Sequence, residues 1–174
     1  MSELPSPPRA APIPGRPERT PADALQWAGL VAVAVVTIVA DQVTKLIARR
    51  SFSPDDPFEV LPFFQFTYTR NTGIAFGQFQ DNQIFVIALS CIAIGWMFVY
   101  FARSGGRHAL LPVALGLLAG GAIGNLADRL RQGYVTDFLQ VASFPVFNLA
   151  DTAITVGVIL LLLVLLGGER RPAS

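Results

Sequence analysis

The chain is short of the residues from which most reactive centres are made. Of its 174 residues, one is cysteine (Cys91) and one is histidine (His108). A single thiol excludes an internal disulfide and any cysteine-rich metal site. Cys91 also falls midway along an apolar run, where thiolate formation is disfavoured. One histidine leaves no His-x-x-x-His pair for a zinc protease and no partner for a Ser/His/Asp or Cys/His nucleophile. Charge is scarce too: 14% of residues are charged, where about 25% is usual for a soluble domain. A net charge of +1 supplies no basic field for nucleic acid.

Apolar sequence is what the chain has in quantity, with 52% hydrophobic residues and a mean hydropathy of +0.51. Four runs of about 20 residues, near 25–47, 83–102, 109–126 and 148–166, predict four transmembrane helices. The fold class expected is an all-α membrane protein with a small β-sheet on one face. That sheet is read from the alternation Phe64-Gln65-Phe66-Thr67-Tyr68-Thr69 and from 133–141, where Val135, Asp137 and Leu139 share one side. The first 24 residues differ in kind, carrying seven of the 13 prolines with Arg9, Arg16 and Arg19 among them. They read as a disordered tail before a four-helix transmembrane domain at 25–168, and 169–174 as a short second tail. No small-residue cleavage site follows the first run, so it reads as a retained span. Lys and Arg divide seven to six between the two faces, a slight lean towards cytoplasmic termini.

Three polar strings break this apolar background: Asn125-Leu126-Ala127-Asp128-Arg129, Val135-Thr136-Asp137-Phe138 and Phe147-Asn148-Leu149-Ala150-Asp151. A carboxylate at membrane depth costs several kcal/mol unless paired or hydrated, so each is a functional candidate. With antiparallel spans, Asp41, Asp128 and Asp151 fall on the same face as the two long connections. Asp137 and Asp151 are separated by an excursion that can fold back on itself. Two carboxylates held close share a proton, leaving one base and one acid, and can activate water without a metal.

Each candidate has a plainer role. Asn148 suits a helix N-cap and Asp151 the first turn behind it, which would also aim the carboxylate. Asp137 can be an acid at a turn or strand edge. Asp128 reads first as a pairing residue for Arg129, with Arg131 close by, while Asn125 and Arg129 share one helix face. Asp41 and Lys45, at i and i+4, form an intrahelical pair in which Lys45 can snorkel. Gly120, Gly121 and Gly124 permit either close helix packing or room for a substrate helix. Arg70-Asn71-Thr72-Gly73 reads as a turn or as a polar clamp reaching the site.

Taken together, Asp41-Gln42-x-x-Lys45, Arg70-Asn71-Thr72-Gly73-Ile74-Ala75-Phe76-Gly77, Gly120-Gly121-Ala122-Ile123-Gly124-Asn125-Leu126-Ala127-Asp128-Arg129, Val135-Thr136-Asp137-Phe138 and Phe147-Asn148-Leu149-Ala150-Asp151 resemble the lipoprotein signal peptidase, or signal peptidase II, family. The match runs in order over about 25–168. The resemblance implies an aspartic endopeptidase of the bacterial inner membrane with four spans, cytoplasmic termini and a site near the extracytoplasmic face. It implies a diacylglyceryl-prolipoprotein substrate, cut just before its lipidated cysteine, and inhibition by globomycin. The family's catalytic pair lands on Asp137 and Asp151. Its supporting residues land on Asp41, Lys45, Asn71, Gly124, Asn125, Asp128, Arg129 and Asn148. No cofactor or metal is implied; membrane lipid is a partner, nucleic acid is not, and a monomer is expected. Ile74 and Thr136 depart from the commoner alanine and valine. From the residues alone a small proton- or cation-coupled transporter stays open as the alternative, although its relay would need polar groups across the whole bilayer.

Overall fold

A computed structural model describes residues 21–73, 83–104 and 108–167, so most of the tail expected over 1–24, the string 74–77 and all of 169–174 lie outside the described residues. Four helices and three strands follow in the order α1 (Ala24–Ser51), β1 (Phe58–Leu61), β2 (Phe64–Asn71), α2 (Gln83–Ser104), α3 (Leu111–Gln132), β3 (Val135–Val141) and α4 (Leu149–Gly167). All four helices are long and apolar enough to cross a membrane.

α3 is the central helix and the most enclosed of the four. Its glycines explain how the neighbours come so near. A Cβ on Gly120 would sit 2.7 Å from Thr37 Cβ, and one on Gly121 would sit 2.5 Å from the Ala150 carbonyl oxygen. Backbones of α1 and α4 therefore lie against α3 where only a hydrogen fits. The glycine string serves close packing, and the alternative of spare room for a substrate helix is not what these positions provide. Outward faces of α1, α2 and α4 expose Val, Leu and Ile, as lipid-facing surfaces require.

Signals at the helix ends are local and strong. Asp23 accepts from Gln26 N at 2.8 Å while the Gln26 side chain accepts from Asp23 N at 3.0 Å, a capping box that starts α1. Gly133, at φ +81°, closes α3 in the left-handed conformation that glycine adopts without strain. Two helices outrun their apolar cores: α1 continues to Ser51 and α3 to Gln132. Asn125, Asp128 and Arg129 are thus helical residues rather than residues at a helix end.

The sheet is antiparallel, in the order β1-β2-β3. β2 and β3 stand where alternation places them, and β3 pairs Asp137 with Thr69 and Thr136 with Arg70. β1 is an addition: its four residues are all exposed, and Pro57 and Pro62 bracket it, so no periodic signal marks it. Arg70 and Asn71 belong to β2 rather than to a turn, with the bend following at Gly73. The first four residues of β3 are all buried, because this strand has α1 and α3 on one side and the polar site on the other.

Candidate active site

Polar residues from 41–45, 125–129, 135–138 and 147–151 meet in one hydrogen-bonded cluster. Lys45 is at its centre and wholly buried. Its ammonium lies 2.9 Å from Asp41 Oδ2 and 3.4 Å from Asp128 Oδ2, and donates to Asn125 Oδ1 at 2.7 Å. The pairing of Asp41 with Lys45 is as the spacing predicts; the snorkelling is not. Lys45 turns inward because two buried carboxylates demand a counter-charge more strongly than the interface attracts an ammonium.

Asp41 and Asp128 then reach out to hold other elements. Asp41 Oδ1 accepts from Ala150 N at 3.0 Å, satisfying an orphan donor in the first turn of α4. Asp128 Oδ2 accepts from Thr136 N at 3.0 Å, which fixes the start of β3. Arg49 Nη1 donates to Thr136 Oγ1 at 2.9 Å and lies 3.9 Å from Asp128 Oδ1. Asp128 is thus partnered by Lys45 and Arg49, not by Arg129 as the sequence suggests. Their side chains diverge, since consecutive helical positions do not face each other. Arg129 is buried; its Nη2 donates to the Gly73 carbonyl at 2.7 Å and its Nε has no acceptor among the described residues.

The two acids proposed as a pair are drawn together by asparagines. Asp137 Oδ1 accepts from Asn148 Nδ2 at 2.6 Å and its Oδ2 from Asn71 Nδ2 at 2.9 Å. Asp151 Oδ1 accepts from Asn125 Nδ2 at 2.8 Å and its Oδ2 from Asn148 N at 3.2 Å. Asn148 Oδ1 in turn accepts from Asp151 N at 2.9 Å. The cap expected at Asn148 and the chemistry expected of Asp151 are one arrangement: capping α4 is what aims the carboxylate. Burial pushes the Asp137 carboxyl up to about 6; the Asn71 hydrogen bond opposes this, the charge of Asp151 reinforces it, and Asn148 and Lys45 oppose it.

Both acids line a cleft of about 1190 Å³, floored by α3 and walled by α2 and α4. Asn125 and Arg129 share its polar end, and Met97, Leu118 and Ile154 continue it along the apolar helix faces. Such a cleft fits an amphiphile with its reacting atoms at the acids and its hydrocarbon between helices. Among the described residues no cluster of His, Cys, Asp and Glu is arranged to hold a metal. Cys91 is exposed on α2, outside the cleft's lining.

Three cluster members are given no role in the site by sequence. Gln42 Nε2 lies 3.2 Å from Asp41 Oδ2, the Gly124 carbonyl and Asp128 Oδ1. Arg49 and Thr136 join β3 to α1. Arg49 follows Lys45 by four residues, a spacing that placed it on nearly the same face. Gln42 and Thr136 carry no charge, and an uncharged polar residue beside a motif gives little signal by itself.

Four apolar helices, a small covering sheet and a cleft lined by acids at one end define a multi-pass membrane protein with a candidate active site. Comparison with known proteins gives the family. The profile of signal peptidase (SPase) II matches residues 33–167. A lipoprotein signal peptidase of Symbiobacterium thermophilum is 41% identical over 146 residues, covering 81% of this chain and 96% of that protein. One from Acinetobacter baumannii is 43% identical over 148 residues, covering 80% and 82%. A solved bacterial membrane enzyme superposes with a TM-score of 0.79 at 32% identity, over 84% of this chain and 94% of that one. The chain belongs to the signal peptidase II family and is a peptidase.

Proposed function

We propose that the chain is an aspartic endopeptidase that cuts diacylglyceryl-modified prolipoproteins just before the lipidated cysteine, with Asp137 and Asp151 as its catalytic pair. The observation that carries this reading is Asn148, which donates to both carboxylates, from Nδ2 to Asp137 and from its backbone N to Asp151. One residue thereby fixes two acids towards a common point in the cleft.

In this reading one carboxylate takes a proton from a water molecule as its oxygen attacks the scissile carbonyl. The other, protonated, donates to the carbonyl oxygen. The tetrahedral intermediate collapses when the C–N bond breaks: the proton held by the base passes to the leaving amine, and the hydroxyl formed from the carbonyl oxygen returns its proton to the other carboxylate as the C=O re-forms. The pair begins and ends with one proton and titrates as a unit. Asn125, Asn71 and Asn148 orient the acids, and Asp41, Lys45 and Asp128 hold the frame. Gly124 makes room for Asp41, and Arg129 ties α3 to the bend at Gly73. The substrate's acyl chains stay in hydrocarbon, along the apolar continuation of the cleft, and supply affinity.

The same reading places the protein in the bacterial inner membrane as a monomer, with both termini cytoplasmic and the acids near the extracytoplasmic face. Globomycin would occupy the cleft. Clustering of Asp41, Asp128, Asp137 and Asp151 at one end of the helices gives the transporter alternative no relay across the described spans.

The test is cleavage of a diacylglyceryl-modified prolipoprotein by purified protein in detergent with chelator present. Wild type should cleave before the modified cysteine, whereas folded Asp137→Asn and Asp151→Asn should each lose about 10³-fold or more in rate. Near-normal activity in Asp137→Asn would move the catalytic role elsewhere in the cluster.

A further inference from the structure

At the edge of the active site, on the face of the β2–β3 pair that carries Thr136, the guanidinium groups of Arg49, Arg70 and Arg131 flank the short segment that joins α3 to β3, and Arg70 also lines the cleft. Arg49 reaches Thr136 from α1. Arg70 is the cross-strand partner of Thr136, so its side chain lies on that same face. Arg131 donates from α3 to Gln42 Oε1 at 3.3 Å.

Arg70 is held in place by aromatic rings. Its Cζ lies 5.1 Å from the centre of the Tyr134 ring and 5.8 Å from that of Tyr68, and its Nε donates to the Tyr68 hydroxyl at 3.0 Å. The two hydroxyls are 3.1 Å apart, and Tyr134 lies in the field of both Arg70 and Arg49. A guanidinium carries five N–H donors, and among the described residues the Nη groups of Arg70 have no acceptor. Only Arg49 comes within 4 Å of a described acid, at 3.9 Å from Asp128. Arg70 and Arg131 have no such partner among the described residues.

Below this rim the surface is hydrocarbon-like. Val36, Val39, Val43 and Leu46 recur at helical spacing along the exposed side of α1, and Leu130 is exposed beside Arg131. An apolar wall that ends in cations, two of them without an acidic partner among the described residues, with tyrosines beside them, matches one chemistry: acyl chains joined to a phosphodiester at the level of the headgroups.

We propose that Arg49, Arg70 and Arg131 form a binding site for the phosphate of an anionic phospholipid, at the rim of the catalytic cleft, which Arg70 also lines. The lipid lays its chains on α1 and the end of α3, and its phosphate takes charge-assisted hydrogen bonds from the rim. Because Arg49 also holds Thr136, next to Asp137, the bound lipid braces the strand that carries an acid of the site. This proposal stands whether or not Asp137 is catalytic.

The experiment is thermal unfolding of the full chain in detergent micelles, followed by tryptophan fluorescence during titration with phosphatidylglycerol or phosphatidylcholine. Phosphatidylglycerol should raise Tm by about 3 °C or more, and phosphatidylcholine by much less. Arg70→Gln combined with Arg131→Gln should lose most of that shift, while Arg103→Gln, a cation at the other end of α2, should keep it. Equal shifts with the two lipids, or an unchanged shift in the double variant, would overturn the site. If millimolar inorganic phosphate alone reproduced the shift, the ligand would be a free anion and the lipid assignment would fail. Should the double variant not fold, native mass spectrometry of Arg70→Gln alone decides: retention of as much phosphatidylglycerol as wild type overturns the proposal, and reduced retention supports it.

Discussion

Lys45 donates to the side-chain oxygen of Asn125 at 2.7 Å, and that contact settles which way the Asn125 amide points. An ammonium has only donors, so it must meet Oδ1; Nδ2 is then left for Asp151, 2.8 Å away. The buried cation therefore acts on a carboxylate it does not touch. Asn148 Nδ2, 3.2 Å from the same Oδ1, reinforces the orientation.

Replacing Lys45 with methionine keeps most of the volume and removes the charge. Asp41 and Asp128 would then be buried without their ion-pair partner, a loss of about 3–5 kcal/mol for breaking such a pair. The expected outcome is a sharply lower Tm and poor yield. Lys45→Met combined with Asp128→Asn should recover part of that stability, because one stranded charge is gone. A Tm for Lys45→Met within 1–2 °C of wild type would contradict a central role for the ammonium.

Asn148 joins three jobs: it caps α4, orients Asp137 and addresses Asp151. Truncation to alanine removes the side-chain contacts while its backbone N–H still reaches Asp151. The helix cap alone is worth about 1 kcal/mol. Loss of aim at Asp137 should appear as a fall in kcat of roughly 10²-fold with little change in KM. An effect confined to stability, with kcat preserved, would reduce Asn148 to a cap.

How far the sequence reaches is clearest at single residues. Asp41, Asp128 and Asp151 stand out because charge is rare in apolar runs, and the back-and-forth of four spans brings them to one end. Spacing along one helix also finds the pair of Asp41 with Lys45. It cannot find Asp41 with Ala150, 109 positions later, or Lys45 with Asn125, 80 positions later. Those contacts come from close packing of α1 and α4 on α3, which the glycines hint at without stating a register. Adjacency in sequence suggests Arg129 as the partner of Asp128, but adjacency on a helix means divergence. β1 left no trace, since a four-residue exposed strand has no buried side to write a pattern.

Gly124 and Gly95 offer a matched comparison. A Cβ on Gly124 would sit 2.5 Å from Asp41 Oδ2, whereas a Cβ on Gly95 meets nothing within 4 Å. Gly124→Ala must displace Asp41 from its contacts with Lys45 and α4, costing about 1–3 kcal/mol by overpacking and misplacing the acids. Gly95→Ala should leave Tm and cleavage unchanged or slightly improve the helix, because alanine is the better helix former. Similar behaviour of the two variants, measured side by side, would show that the close approach at Gly124 is not tight.

The raised Asp137 carboxyl makes a stability prediction with a definite sign. Its value is about 6 in the fold against the ordinary 3.8. Below about pH 4 the group is protonated both folded and unfolded and carries no penalty. Between about pH 4 and 6 the unfolded chain releases its proton while the fold retains it, so stability falls as pH rises. Above about pH 6 both forms are ionised and the penalty is constant, at most roughly 3 kcal/mol for a shift of this size. Asp137→Asn has no such penalty, but its amide can accept only one of the two asparagine donors, which costs about 1 kcal/mol at every pH. The Tm of the variant minus that of wild type should therefore climb by several degrees from pH 4 to pH 7. A difference that stays flat across that range would mean that Asp137 ionises as easily in the fold as in water.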